Sequence, residues 1–207
     1  MSQRRGCLGV AVGIVLVLAL GAWFLGNGYG PLAHYDEPTM SPGQARARID
    51  QLVSRTMAGI SPAPTYCNFS YASERDSAHW DGEPSRLSDL MGSLDICTRI
   101  SPARVPVLLD QITKAWQGLS SVPVTQGAPN RSGYPPTVAT LNAQVPGVYM
   151  SVQVLAPVAS GATQSETVEF LFHAYGVRYQ PTHDYKLPGP APTSSPPAPA
   201  DDPYWSH

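Results

Sequence analysis

Apolar positions along the 207-residue chain follow three different patterns, and each predicts a different kind of element. From Cys7 to Gly26 the run CLGVAVGIVLVLALGAWFLG is unbroken by any charge. At 1.5 Å per residue about twenty residues cover the ~30 Å hydrocarbon layer, where only a helix satisfies every backbone group. A transmembrane helix is therefore predicted over 7–26. Residues 27–40 (NGYGPLAHYDEPTM) have no period and several turn formers, and they read as a linker. Helical spacing begins next. Ser41 is a good N-cap, Pro42 suits the first helical position and Gln44 completes a capping box. Ala45, Ile49, Leu52, Val53, Thr56 and Met57 then share one face until Gly59 and Pro62 stop the helix. A second helix is predicted from Ser101 and Pro102, with Val105, Leu108, Leu109, Ile112, Trp116 and Leu119 as its buried stripe and Gly118 near its end. Pro106 is tolerated in its first turns, whose amides have no intrahelical partner.

Elsewhere the period is two, the mark of half-buried strands. Thr65, Cys67, Phe69 and Tyr71 alternate on one side of a first strand, and Leu94, Ile96, Thr98 and Ile100 on one side of a second, with a polar, charged loop over 73–89 before it. Further strands are expected around 122–125, 137–144, 147–155 and 166–175, with Pro146-Gly147 as a turn. Val148, Met150, Val152 and Val154 form one face, as do Val168, Phe170, Phe172 and Ala174. The order α-β-β-α-β-β-β-β predicts an α+β domain over 41–186. Its sheet is mostly antiparallel, because so many strands are sequence neighbours, and two amphipathic helices cover one face. The segment 187–207 (LPGPAPTSSPPAPADDPYWSH) offers almost nothing to bury and is expected to be a disordered, partly polyproline tail, with Tyr204 and Trp205 as its only large apolar groups.

Charge decides which side of the membrane the domain occupies. Arg4 and Arg5 precede the apolar run, whereas Asp36 and Glu37 are the first charges after it. The positive-inside rule puts residues 1–6 in the cytoplasm and the rest outside. Trp23 and Tyr29 fit the outer interface. A competing reading is a secretory signal cleaved at Ala19-Leu20-Gly21, which would make the protein secreted; Trp23-Phe24-Leu25 extends the apolar run past that point and favours an anchor. Gly9 and Gly13 form a GxxxG pair, spaced for a weak homodimer within the membrane. Beyond the anchor stand eleven basic and fifteen acidic residues, a net of −4, which argues against a nucleic-acid partner.

An oxidising compartment makes the outer cysteines, Cys67 and Cys97, a predicted disulfide between neighbouring strands. One point runs against it: Cys97 falls on the face opposite Ile96, while Cys67 shares a face with Phe69. Cys7 is left at the inner edge of the membrane.

Motif chemistry is sparse. HExxH, GxSxG, SxxK, CxxC, Walker A and EF-hand patterns are absent, so no catalytic, cofactor or metal site is assigned. The best acid–base or metal candidate is His79-Trp80-Asp81 in the 73–89 loop, with Asp76 and Glu83 nearby. Two or three ligands in one loop bind a divalent ion poorly, and a solvated loop explains them as well. His173 alternates with Val168, Phe170 and Phe172 and is expected to face solvent or a sheet neighbour.

The two Ser-Pro helix starts, Trp116 and the strand ending HAYGVRY resemble small actinobacterial membrane-anchored or secreted proteins of unknown function over residues 41–180. That resemblance implies an extracytoplasmic address and no activity. Two function classes remain open. The first is a non-enzymatic binding or interaction module of the cell envelope, with a membrane or envelope protein as a candidate partner. The alternative is an extracytoplasmic hydrolase using the His79/Asp81 loop.

Overall fold

The computed structural model describes residues 37–76, 85–130, 136–156, 166–180 and 200–207. Contacts divide the chain into units 1–37 and 38–207, and every described helix and strand belongs to the second. The predicted span 7–26, with Gly9 and Gly13, lies outside the described residues. Among those described, no helix is long and apolar enough to cross a membrane.

Helix α1 runs Pro42–Ala58, with the predicted capping box in place. Ser41 N donates to Gln44 Oε1 at 2.8 Å and Gln44 N to Ser41 Oγ at 3.3 Å. Ala45, Ile49, Leu52 and Thr56 are its buried stripe. Helix α2, Val105–Gln117, starts later than the Ser101-Pro102 signal suggested, after a turn over 102–104. Proline chemistry accounts for the delay: a helix begun at Pro102 would put Pro106 where an amide must bond back to it. Starting at Val105 leaves Pro106 among amides that need no intrahelical partner. Trp116 is fully buried, and its indole N–H donates to Thr56 Oγ1 at 2.8 Å, while that hydroxyl donates to Leu52 O at 2.8 Å. Thr56→Val would keep the volume but strand the indole N–H in the core. A loss of about 1–3 kcal/mol is expected in urea unfolding.

The sheet has six strands: β1 (Tyr66–Arg75), β2 (Leu87–Ile100), β3 (Thr125–Gly127), β4 (Thr137–Val145), β5 (Val148–Leu155) and β6 (Glu166–Arg178). They lie in the order β1-β2-β6-β5-β4-β3 with every ladder antiparallel. The β1–β2 hairpin comes first. Helix α2 then carries the chain to the far edge, and the β3–β6 meander returns until β6 pairs with β2. Between β4 and β5 the predicted Pro146-Gly147 turn is present, Gly147 at φ +76° supplying the positive φ that such a turn demands. Both helices lie on one face of the sheet, where the fully buried Val148, Met150, Val152, Val154, Val168, Phe170, Phe172 and Ala174 join their stripes in a single core. Helix α1 comes so close that a Cβ on Gly92 would stand 2.8 Å from Ile49 Cγ2.

Three expectations change. The strand expected over 122–125 lies at Thr125–Gly127, with Val122 exposed. The 73–89 loop is shorter, because β1 continues to Arg75 and β2 begins at Leu87. The face assigned to β1 is also wrong. Register shifts between Cys67 and Ser70, around Asn68 at φ +53°. This bulge changes the phase of the strand, so Tyr66 and Tyr71 pack on the core while Phe69 is 40% exposed. It also removes the objection to the disulfide. Cys67 opposes Asp95, two residues from Cys97 in β2, and the Cys67–Cys97 bridge is formed with Cα atoms 5.7 Å apart.

The supposed tail changes too. Residues 181–199 lie outside the described residues, but 200–207 pack on the domain, with Ala200 bridging Thr98 of β2 and Trp205 wholly inside the core.

Candidate functional site on the open face of the sheet

The helices occupy one face of the sheet, so the alternate residues of each strand form the other. On this open face the ladders set up cross-strand rows. Asp95, Glu169, Gln153 and Thr140 make one; Ser93, Leu171, Ser151 and Asn142 a second; Met91, His173, Tyr149 and Gln144 a third.

Hydrogen bonds knit these rows together. His173 Nε2 lies 2.7 Å from Asp89 Oδ2, both side chains being about one-third exposed. Asp89 reaches it beside an irregularity in the β2–β6 ladder, where Gly176 takes φ +68°. Tyr149 Oη donates to Asn142 Oδ1 at 2.6 Å, and Gln144 Nε2 donates to Tyr175 Oη at 2.9 Å. Ser70 and Ser93 hydroxyls pair at 2.8 Å, and Asn68 Nδ2 donates to Asp95 Oδ2 at 3.0 Å. Tyr149, Tyr175 and Val138 stand exposed, whereas Ser151 in the middle row is only 4% exposed.

Electrostatically the face is tense at one point. Glu169 is held above the usual carboxyl range, first by burial and then by Asp95, its direct opposite in the ladder. A carboxyl whose folded-state pKa is raised contributes stability fully below its ordinary pKa and loses it as pH rises through the raised value. Glu169→Gln should therefore raise the melting temperature at pH 7 and leave it unchanged near pH ~3.5, where both states carry the proton. The group is only partly buried, so solvent screening limits the gain to less than about 1 kcal/mol.

Chemically, this is a surface of tyrosine rings framed by amides, hydroxyls and carboxylates. It suits hydrogen bonding and stacking with a polar ligand. Among the described residues the hydrogen bond of the His173 ring goes to Asp89. No group of three or more His, Cys, Asp or Glu able to hold a metal occurs among the described residues.

No family model, curated protein or solved structure matches this chain.

The sequence-predicted sites divide accordingly. His79 and Asp81, with Glu83, lie outside the described residues, so the hydrolase alternative rests on sequence only. His173 faces away from the core, as its alternation required. Asp89 was missed, having been assigned to the polar loop. Glu169 was legible in principle, since Glu169, Leu171 and His173 alternate with Phe170 and Phe172.

Proposed function

We propose that this chain is a membrane-anchored extracytoplasmic protein acting as a non-enzymatic binding or interaction module of the cell envelope, and that the open face of its sheet is the contact surface. The observation that carries the reading is the asymmetry of the sheet. One face is filled by α1 and α2, while the other is lined by paired polar side chains around exposed tyrosines. Exposed aromatic groups beside satisfied polar partners are typical of contact surfaces. The Cys67–Cys97 bridge supports an oxidising compartment. Arg4 and Arg5 before the 7–26 run support the same orientation.

Photocrosslinking in cells, with the anchor intact, tests the reading. A photoreactive residue in place of Tyr149 should give an adduct of defined mass, whereas the same residue in place of Arg48, on the exposed side of α1, should not. Identical patterns from the two positions, or none from Tyr149, would discard the open face as the contact surface.

A further inference from the structure

Three tyrosines of the domain carry a guanidinium over the ring. Arg46 lies 5.4 Å from the centre of the Tyr71 ring, Arg75 4.0 Å from that of Tyr179 and Arg104 4.3 Å from that of Tyr204. At Tyr71 a carboxylate completes the group. Tyr71 Oη donates to Asp50 Oδ1, and Arg46 Nε stands 3.9 Å from Asp50 Oδ2. Ring face and anion attract the same cation there, and a planar guanidinium can satisfy both at once.

The open face of the sheet repeats two parts of that group without the third. Tyr149 and Tyr175 are exposed, and an amide fixes each hydroxyl, Asn142 for Tyr149 and Gln144 for Tyr175. Among the described residues no arginine or lysine lies over either ring. Carboxylates face one another twice. Glu74 stands opposite Asp89 in the β1–β2 ladder and Asp95 opposite Glu169 in the β2–β6 ladder, with the flanking Leu90, Leu94 and Ile96 turned into the core. Like charges directly opposite in a ladder destabilise it. His173 lies beside Asp89 and Asn68 donates to Asp95, but among the described residues no arginine or lysine forms an ion pair with any of these carboxylates. A cation brought by a partner would offset both repulsions. The spacing also suits an extended chain: Asp89 and Asp95 are six residues apart in β2, about 20 Å at ~3.3 Å per residue, so basic side chains six positions apart on a segment laid along β2 would each meet one pair.

We propose that the open face binds an arginine-bearing extended segment of a partner protein, its guanidinium groups set between the facing carboxylates and over the Tyr149 and Tyr175 rings. This rests on the open face being the contact surface and adds the chemistry of what it contacts. The full-length chain in a neutral detergent is titrated into a fluorescent decapeptide of alternating serine and arginine, and into matching serine–lysine and serine–glutamate peptides. The arginine peptide is expected to bind most tightly and the glutamate peptide not at all. Glu169→Gln and Asp95→Asn should each weaken the arginine peptide about tenfold, the loss of one charge-assisted contact. Asp110→Asn, which removes a carboxylate from the exposed side of α2, should leave its binding unchanged. Since Glu169→Gln is expected to raise the melting temperature, weaker binding by that variant is not a failure to fold. Arginine and lysine peptides that bind equally, or carboxylate variants that bind as the parent does, overturn the arginine-bearing segment. The Tyr149 crosslink in cells keeps the two readings apart. An adduct that both carboxylate variants leave undiminished keeps the contact surface and removes the arginine, whereas an adduct that both diminish supports it.

Discussion

Exchanging Cys67 and Cys97 together for alanine is expected to lower the stability of the domain by roughly 3–4 kcal/mol, the largest share of it through the unfolded chain. The two cysteines are 30 residues apart in sequence. Closing a loop of that length removes about that much unfolded-state entropy on the chain-entropy account. In the folded domain the bridge joins β1 and β2 where they already pair, since Tyr66 opposes Ile96 and Cys67 opposes Asp95, and the 5.7 Å Cα separation is near the usual value. At about 2–4 °C per kcal/mol for a domain of this size, the melting temperature should fall by about 10 °C. The pattern across variants separates a crosslink from mere packing. Either single alanine should cost nearly as much as the pair, because one missing sulfur breaks the bond, whereas packing losses at two sites would add. Reductant should bring the parent protein down to the double variant and leave the double variant where it is. A parent whose unfolding midpoint ignores reductant has no such bond.

The elements that sequence reasoning placed well are those in which period and local chemistry agree. The capping box at Ser41 and Gln44 begins α1, and the uninterrupted alternation from Val148 to Val154 and from Val168 to Ala174 marks β5 and the greater part of β6. Errors fall where one residue breaks the period. Asn68 at φ +53° shifts β1 by a position and turns Phe69 outward. Gly92 has no side chain to register in a pattern, and α1 packs against it, so the first half of β2 looked like loop. Of the candidate site, the outward direction of His173 was readable, but its pairing with Asp89 was not. That contact joins residues 84 apart and depends on a ladder irregularity at Tyr175-Gly176. Trp205 was hidden for a different reason. A single tryptophan after a proline-rich stretch has no period at all, and its burial comes from β2, the start of α2 and the Pro62 loop, all more than 90 residues earlier.

Trp205→Ala is accordingly expected to destabilise the domain by about 3–5 kcal/mol, the range for deleting a large buried aromatic side chain. Were residues 200–207 a solvated tail, the same substitution would fall within about 0.5 kcal/mol of neutral, so urea unfolding separates the two cases cleanly. The size of the effect comes from where the ring sits. Its exposure is 0%, and it belongs to the same continuous core as Ile100, Leu108 and Phe170. Its removal leaves a cavity beside the Ser101–Arg104 turn and strips Pro62 O of its indole donor. Trp205→Phe divides the loss. It keeps most of the apolar volume but not the N–H, and should cost about 1–2 kcal/mol, since the carbonyl of Pro62 is then left to find water. Asp202→Ala acts more gently, because its carboxylate only holds the amides of Tyr204 and Trp205 in their turn; about 1 kcal/mol is expected, the ordinary worth of such a cap. The descending order Ala at 205, Phe at 205, Ala at 202 is what a docked aromatic anchor requires. A flat series would return 200–207 to the status of a tail.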